Sequence, residues 1–274
     1  MLTASIVIYR TSNKELQTIV NCAINSTIHT IYIIDNSPSN ELQNVIDHYQ
    51  CPKLIYIYGQ GNVGYGAGHN IAIQKSIELG ADYHIILNPD IIFKTSAIET
   101  LAQYMDQHPY IGAVMPNIIY PDGTSQRLCK LLPTPFDIFA RRLLPKSWTL
   151  KRNERYEMHF MGYDKVWNCP NLSGCFMFLR NSVLKQVGGF DDRFFMYFED
   201  TDLIRRIHEV SKTVFYPDIT IIHAHKAEHR TNKLLLKISI KSAILYFNKY
   251  GWLFDRKRSL FNKWAQQSSA HLLD

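Results

Sequence analysis

Three carboxylates, Glu199, Asp200 and Asp202, stand within four positions, directly after the five large apolar residues Phe194 to Phe198. Apolar surroundings raise a carboxylate's pKa, and a positioned carboxylate is a usable general base. By itself the cluster reads more plainly as the first turn of a helix through Leu203 to Ile207, where negative charge is favoured. Two further residues change that balance. Asp90 closes Asn88-Pro89-Asp90 after the apolar run Ile85 to Leu87, and His223 closes Ile219 to Ile222. A carboxylate and an imidazole at strand ends can share one hard divalent cation and phosphate oxygens. The alternative for Asn88-Pro89-Asp90 is a proline turn capping the next helix. His225 and His229 follow at wider spacing and read as solvated loop.

The elements that must position these groups alternate. Strand-like runs cover Ser5–Tyr9, Thr30–Asp35, Lys53–Gly59, Tyr83–Asn88 and Gly112–Met115. Helical patterns lie between them near Asn13–Ala23, Asn40–Tyr49, Ala67–Leu79 and Ser96–Gln107. This spacing predicts an α/β domain with a mainly parallel sheet, whose ligands gather beyond the carboxyl ends of the strands. The residues found there are Tyr9-Arg10, Asp35-Asn36-Ser37, Gly59–Gly68 and Asn88-Pro89-Asp90.

After Tyr120 the alternation stops. Lys130 to Arg155 is rich in proline and basic residues and predicts a loop or a partly helical insertion. Order returns over Val166–Arg180, at the Gly188-Gly189 turn, in the acidic helix, and in the strands Thr213–Tyr216 and Ile219–His223. Residues 1–225 therefore read as one domain with two halves, 1–120 and 121–225.

Gly59-Gln60-Gly61-Asn62-Val63-Gly64 is a literal GxGxxG between a strand and a helix. A dinucleotide dehydrogenase carries that fingerprint after its first strand, and here two strand–helix units precede it. The glycines instead predict close backbone approach to a ligand, with an anion-friendly helix start near Ala67.

The chain has 274 residues, a net charge of +6 and 46% hydrophobic residues, a globular composition. Its modest positive charge suits an anionic substrate or membrane surface and does not call for nucleic acid. Five scattered cysteines with no CxxC pair argue against zinc and a disulfide framework and fit a reducing, cytoplasmic compartment. The apolar start is too short for a signal peptide, and no stretch of about 18 apolar residues predicts a membrane span. The tail, 226–274, carries ten basic residues between Lys226 and Lys263 against Glu228 and Asp255, interleaved with Leu, Phe and Trp. It predicts basic amphipathic helices that lie on an anionic membrane surface, or whose apolar face packs on the catalytic domain or a second subunit in a homo-oligomer.

Taken in order, these pieces resemble the family 2 glycosyltransferases of the GT-A fold, particularly the bacterial rhamnosyltransferase-like branch. The resemblance covers residues 3 to 225. It rests on Ser5 to Tyr9 as the opening strand, Ile33-Ile34-Asp35-Asn36-Ser37, Gly61 to Asn70, Leu87-Asn88-Pro89-Asp90, Tyr120 to Thr124, Ser173-Gly174-Cys175, Gly188 to Asp191 and Phe195 to Asp202. Asn88 departs from the family's DxD pattern and leaves one acidic metal ligand there.

The resemblance implies an inverting transfer from a dTDP- or UDP-linked sugar, rhamnose included, to a saccharide or lipid-linked saccharide in cell-surface polysaccharide assembly. It implies Mg2+ or Mn2+ on Asp90 and His223. Tyr9, Asp35, Asn62, Gly64, Asn70, Asn88 and Asp90 would meet the donor. Ser173, Gly174, Cys175 and Asp202 would face the acceptor, and Asp200 would act as base with Glu199 as its alternative. The place would be the cytoplasm, or the cytoplasmic face of the cell membrane. A sugar-nucleotide nucleotidyltransferase would need an early Gly-rich loop, which Tyr9-Arg10-Thr11-Ser12 lacks. An inactive nucleotide-sugar-binding protein is the other alternative.

Overall fold

A computed structural model describes residues 1–140, 144–224 and 233–267. Residues 225–232, with His225, His229 and the start of the basic tail, lie outside the described residues, as do 268–274. Strands β1 (Leu2–Ile8), β2 (Thr30–Asp35), β3 (Leu54–Tyr58) and β4 (Tyr83–Leu87) alternate with helices α1 (Asn13–Ile24), α2 (Gln43–Asp47) and α3 (Tyr65–Glu78). Then come β5 (Ile91–Ile92), α4 (Thr95–Gln107) and β6 (Ile111–Ile119). The chain continues through α5 (Lys146–Tyr156), β7 (Trp167–Asn168), β8 (Phe176–Arg180), α6 (Asn181–Val187), α7 (Glu199–His208) and β9 (Lys212–His223). It closes with α8 (Lys233–Tyr250) and α9 (Arg256–Ala265).

Among the described residues the strands form one sheet in the order β3-β2-β1-β4-β8-β6-β9-β5, with β7 on β9. Pairs β1–β2, β1–β4, β2–β3 and β6–β9 are parallel, and β8 runs antiparallel between β4 and β6. The sheet is therefore mixed and mostly parallel. Its strands are continuous apolar runs because helices cover both faces, so β1, β2 and β4 are almost wholly buried. The expected halves share this sheet, since β8 and β9 from the second lie beside β4 and β6 from the first.

Several local expectations change. The two expected strands at the end of the domain are one, β9, paired to β6 with a register shift at Pro116/Asn117. Asn88-Pro89-Asp90 leads into the short strand β5, which pairs with β9 through Ile91 and His223. That pairing, and not a helix cap, brings Asp90 beside His223. The insertion is ordered into a π-type turn at Phe136–Ala140 and helix α5.

The tail packs on the domain. Ala243, Tyr246 and Phe247 of α8 form a buried cluster with Phe194, against which Phe139 and Phe198 also pack. Arg205, on the apolar side of α7, makes a bidentate pair with Asp255 at 2.7 and 2.8 Å, both groups buried. Asp255 also caps α9 by accepting from Arg258 N at 2.9 Å. No helix among the described residues is long and apolar enough to cross a membrane.

Candidate active site

The acidic segment is held by the backbone before it. Tyr197 and Phe198 both adopt left-handed φ, +69° and +68°. Bulky residues there cost on the order of 1–2 kcal/mol each, so the conformation persists only where neighbours enforce it. Three contacts do so: Tyr65 N donates to Phe195 O at 2.9 Å, Ser242 Oγ to Met196 O at 2.8 Å, and Phe198 packs on Tyr246 at 5.4 Å. Gly64 stands where a Cβ would lie 2.3 Å from Phe195 O, with φ at +95°. The glycine segment thus admits the chain's own acidic loop. Helix α3 begins at Tyr65, two residues before the expected start near Ala67, and the Tyr65 N–H goes to the Phe195 carbonyl.

The left-handed pair turns Glu199 and Asp200 into a cleft of about 980 Å³. Its walls include Ser173, Asn171 and Lys130 on one side and Ile138, Leu150 and Leu236 on another. Asp200 Oδ2 accepts from Gly174 N at 2.9 Å, and Oδ1 accepts from Thr201 N at 2.7 Å. These N–H donors fix the carboxylate and leave lone pairs for a cleft ligand. Glu199 is different. It is buried, its Oε2 has no partner, and burial followed by the charge of Asp200 pushes its carboxyl well above the usual range. Its ionised form is disfavoured there.

Behind this wall a polar chain runs to the second group of predicted residues. The Tyr65 hydroxyl lies 2.7 Å from Gly174 O and 2.9 Å from Asn88 Oδ1. Asn88 Nδ2 lies 3.4 Å from His223 Nε2, and that nitrogen is 3.2 Å from Asp90 Oδ1. Gln126 Oε1 meets His223 Nδ1 at 2.9 Å. Burial alone would lower the imidazole; hydrogen bonds to Asp90 and Cys175 outweigh it and raise His223 to about 10.

Asp90 and His223 offer one carboxylate and one imidazole to the same point. Among the described residues no three His, Cys, Asp or Glu side chains converge on a metal position. This donor set fits an open site, in which a divalent cation takes its remaining ligands from phosphate oxygens and water.

Other predicted residues fall elsewhere. Asp202 is fully buried and bound by Arg206 Nε at 2.8 Å, Tyr250 Oη at 2.8 Å and Lys249 Nζ at 2.5 Å, and it does not line the cleft. Lys249 also reaches Asp191 at 2.8 Å. Asn70 does not face a donor: its Oδ1 takes Phe190 N and its amide nitrogen binds Phe190 O, both at 2.8 Å. Cys175 is buried on the His223 side of the wall and does not line the cleft. Gly64 is buried against Phe195, and the exposed Asn62 accepts from Gly64 N at 3.3 Å. Asp35 is buried, with one oxygen on Ser37 N at 2.8 Å and the other on the Tyr56 hydroxyl, so it shapes the β2 edge and presents no open carboxylate.

Tyr9 is half exposed at that edge under Arg10. Beside it lies a smaller cavity of about 430 Å³ lined by Arg10, Asn13, Ser37 and Glu41. Sequence reasoning missed Tyr65, Gln126 and Lys249. The signals were a tyrosine inside a glycine segment and basic residues facing buried carboxylates from far along the chain.

Comparison with known proteins reports on the family and the fold. The model of the family described as Glycosyl transferase family 2 matches residues 4–188. N-acetylglucosaminyl-diphospho-decaprenol L-rhamnosyltransferase of Mycobacterium tuberculosis is 30% identical over 220 residues, 74% of this chain and 68% of that protein. Rhamnosyltransferase WbbL of Escherichia coli is 28% identical over 246 residues, 85% of this chain and 89% of that protein. Among solved structures, GalNAc-T7 with UDP, GalNAc and Mn2+ superposes with a TM-score of 0.61 at 14% identity, covering 92% of this chain and 49% of that one. S. aureus TarS gives 0.60 at 12% identity, covering 98% and 44%. The chain spans less than half the length of these two structures, and the likeness to them is one of fold.

Proposed function

The chain belongs to glycosyl transferase family 2, and from that footing we propose an inverting transfer of a sugar from a nucleotide-sugar donor to a hydroxyl of a saccharide or lipid-linked saccharide. Two curated relatives are named rhamnosyltransferases, which favours rhamnose as the sugar, and a dTDP-linked donor is what the family resemblance implies. The observation that carries the proposal is Asp200, an oriented carboxylate on the wall of a large cleft, linked through Gly174, Tyr65 and Asn88 to the Asp90–His223 pair.

The acceptor hydroxyl enters the 980 Å³ cleft and loses its proton to Asp200 as its oxygen attacks the anomeric carbon. Gly174 and Thr201 N–H groups hold the carboxylate in position, so little reorganisation accompanies the attack. Burial disfavours the ionised form of Glu199, which favours Asp200 as the base and lets Glu199 offer a hydrogen bond to the acceptor. The nucleotide leaves from the Asp90 side, and its nucleoside reaches toward Tyr9 and the smaller cavity. A Mg2+ or Mn2+ ion held by Asp90 and His223 would offset the charge that develops on the diphosphate.

The test is a panel of nucleotide sugars with each metal, read as release of nucleoside diphosphate and as the anomeric configuration of the product. Inverted product, with release lost in Asp200→Asn, supports the reading. Release of pyrophosphate from a sugar phosphate and a nucleoside triphosphate would instead show a nucleotidyltransferase. Nucleotide-sugar binding without turnover under every condition would show a binding protein.

A further inference from the structure

We propose that the α8–α9 turn and the outer face of α9 form a docking surface for an anionic lipid bilayer. The turn exposes Leu253 at 79% and Phe254 at 93%. This exposure is built in. Arg258, itself buried, places its guanidinium 3.3 Å from the carbonyl oxygens of Gly251, Trp252 and Leu253 and 3.5 Å from that of Pro133. Gly251 has φ +104°, and a Cβ there would lie 2.5 Å from Phe254 O. The turn is closed and tethered beneath, and its two apolar side chains point to solvent. Scattered exposed apolar residues are ordinary, but a contiguous set held outward marks an interaction site.

Helix α9 continues the surface. Arg256, Lys257, Leu260, Lys263 and Trp264 are exposed, a spacing that puts them on one helical face. Phe261 and Ala265 fill the opposite face and are buried, and Trp167 Nε1 donates to Ala265 O at 3.1 Å. The packed and the outward face of this helix are thus both present. Asp255 is the sole acidic residue between 251 and 267, and Arg205 neutralises it. Lys257 is shared with Glu209 at 2.8 Å, while Arg256 and Lys263 add exposed positive charge.

Tryptophan, phenylalanine and leucine mixed with lysine and arginine suit the boundary between headgroups and acyl chains. The positive charge selects an anionic bilayer over an uncharged one. The surface also adjoins the cleft, because Trp252 stacks on Phe139 at 6.2 Å and the preceding residue, Ile138, lines the cleft wall. A lipid-linked acceptor would therefore meet the cleft from the bilayer side.

The surface adds a partner to the proposed function. Its test uses no sugar transfer, so the two fail separately. The full chain is mixed with vesicles of phosphatidylglycerol and phosphatidylcholine, or of phosphatidylcholine alone, and bound protein is measured by flotation. Binding to the anionic vesicles should be at least roughly tenfold tighter and should fall steeply between about 50 and about 500 mM salt. The double variant Leu253→Asp, Phe254→Asp should lose roughly tenfold or more in vesicle affinity with its melting temperature kept. A second variant, Arg256→Glu with Lys263→Glu, should lose the preference for anionic lipid even if the first is unstable. No binding, equal binding to both vesicles, or undiminished binding in both variants would overturn the proposal. So would light scattering that shows a dimer which Leu253→Asp, Phe254→Asp breaks apart, since a second copy would then cover this face.

Discussion

Lowering the pH should expose a buried histidine pair beneath the sheet. Ser5 Oγ sits between His69 Nδ1 at 2.7 Å and His84 Nε2 at 2.8 Å, and Thr3 Oγ1 meets His84 Nδ1 at 2.7 Å. All four residues are fully buried. Burial holds His84 down at about 3, and burial together with the charge of His84 holds His69 well below the usual range. An unfolded histidine titrates near about 6.5. The folded values are depressed, so below about 6.5 the unfolded chain binds protons that the folded chain refuses, and stability falls as pH falls toward about 3. The slope is about 1.4 kcal/mol per pH unit for each group, which gives roughly 2 kcal/mol for His84 between about pH 7 and about pH 5.

Two groups act in the opposite sense. Glu199 and His223 have raised folded values, so their contributions are complete at low pH and decline as pH rises. The absolute pH curve therefore mixes signs, and the diagnostic perturbation is His84→Gln. Its stability deficit relative to the parent chain should shrink by roughly 2 kcal/mol from about pH 7 to about pH 5, or about 4–8 °C in the melting difference for a domain of this size. Urea denaturation or calorimetry of both proteins across that window measures it. Parallel curves, with a deficit constant within about 0.5 kcal/mol, would refute the reasoning.

Asp200→Asn should keep nucleotide-sugar affinity and lower turnover by roughly 10²–10⁴, the usual range for a lost general base; near-parental turnover in a steady-state assay would remove Asp200 from that role. Chelation should abolish transfer, and Asp90→Ala or His223→Ala should raise the metal concentration needed for half activity; full activity in excess chelator would mean that Asn88 marks a metal-independent site. Removing Arg205 or Asp255 alone, as Arg205→Met or Asp255→Asn, leaves a buried partner unpaired and should cost about 3–5 kcal/mol in urea denaturation, with much of it recovered when both are replaced by apolar residues.

Much of this protein was legible in its sequence. The alternation of apolar runs and helical patterns determined an α/β domain, because strand and helix periods depend only on local residue order. Asp90 and His223 were visible because strand ends in such a sheet gather ligands, and the structure links them through Asn88, Tyr65 and Gly174 to the acidic segment. Tertiary structure decided which groups face open space. Glu199, Asp200 and Asp202 look alike in sequence, yet one is buried and unpaired, one lines the cleft, and one is locked by Lys249, Arg206 and Tyr250. Those partners include residues nearly 50 positions away, which no local pattern reports. Likewise Asn70, Gly64 and Asp35 serve the chain's own loops, because close packing of distant segments uses the same small and polar residues that a ligand would. The basic tail offered one amphipathic pattern for two uses. Only its packing shows that one face is taken by Phe194 and Trp167, while Leu253, Phe254 and the outer side of α9 remain in solvent.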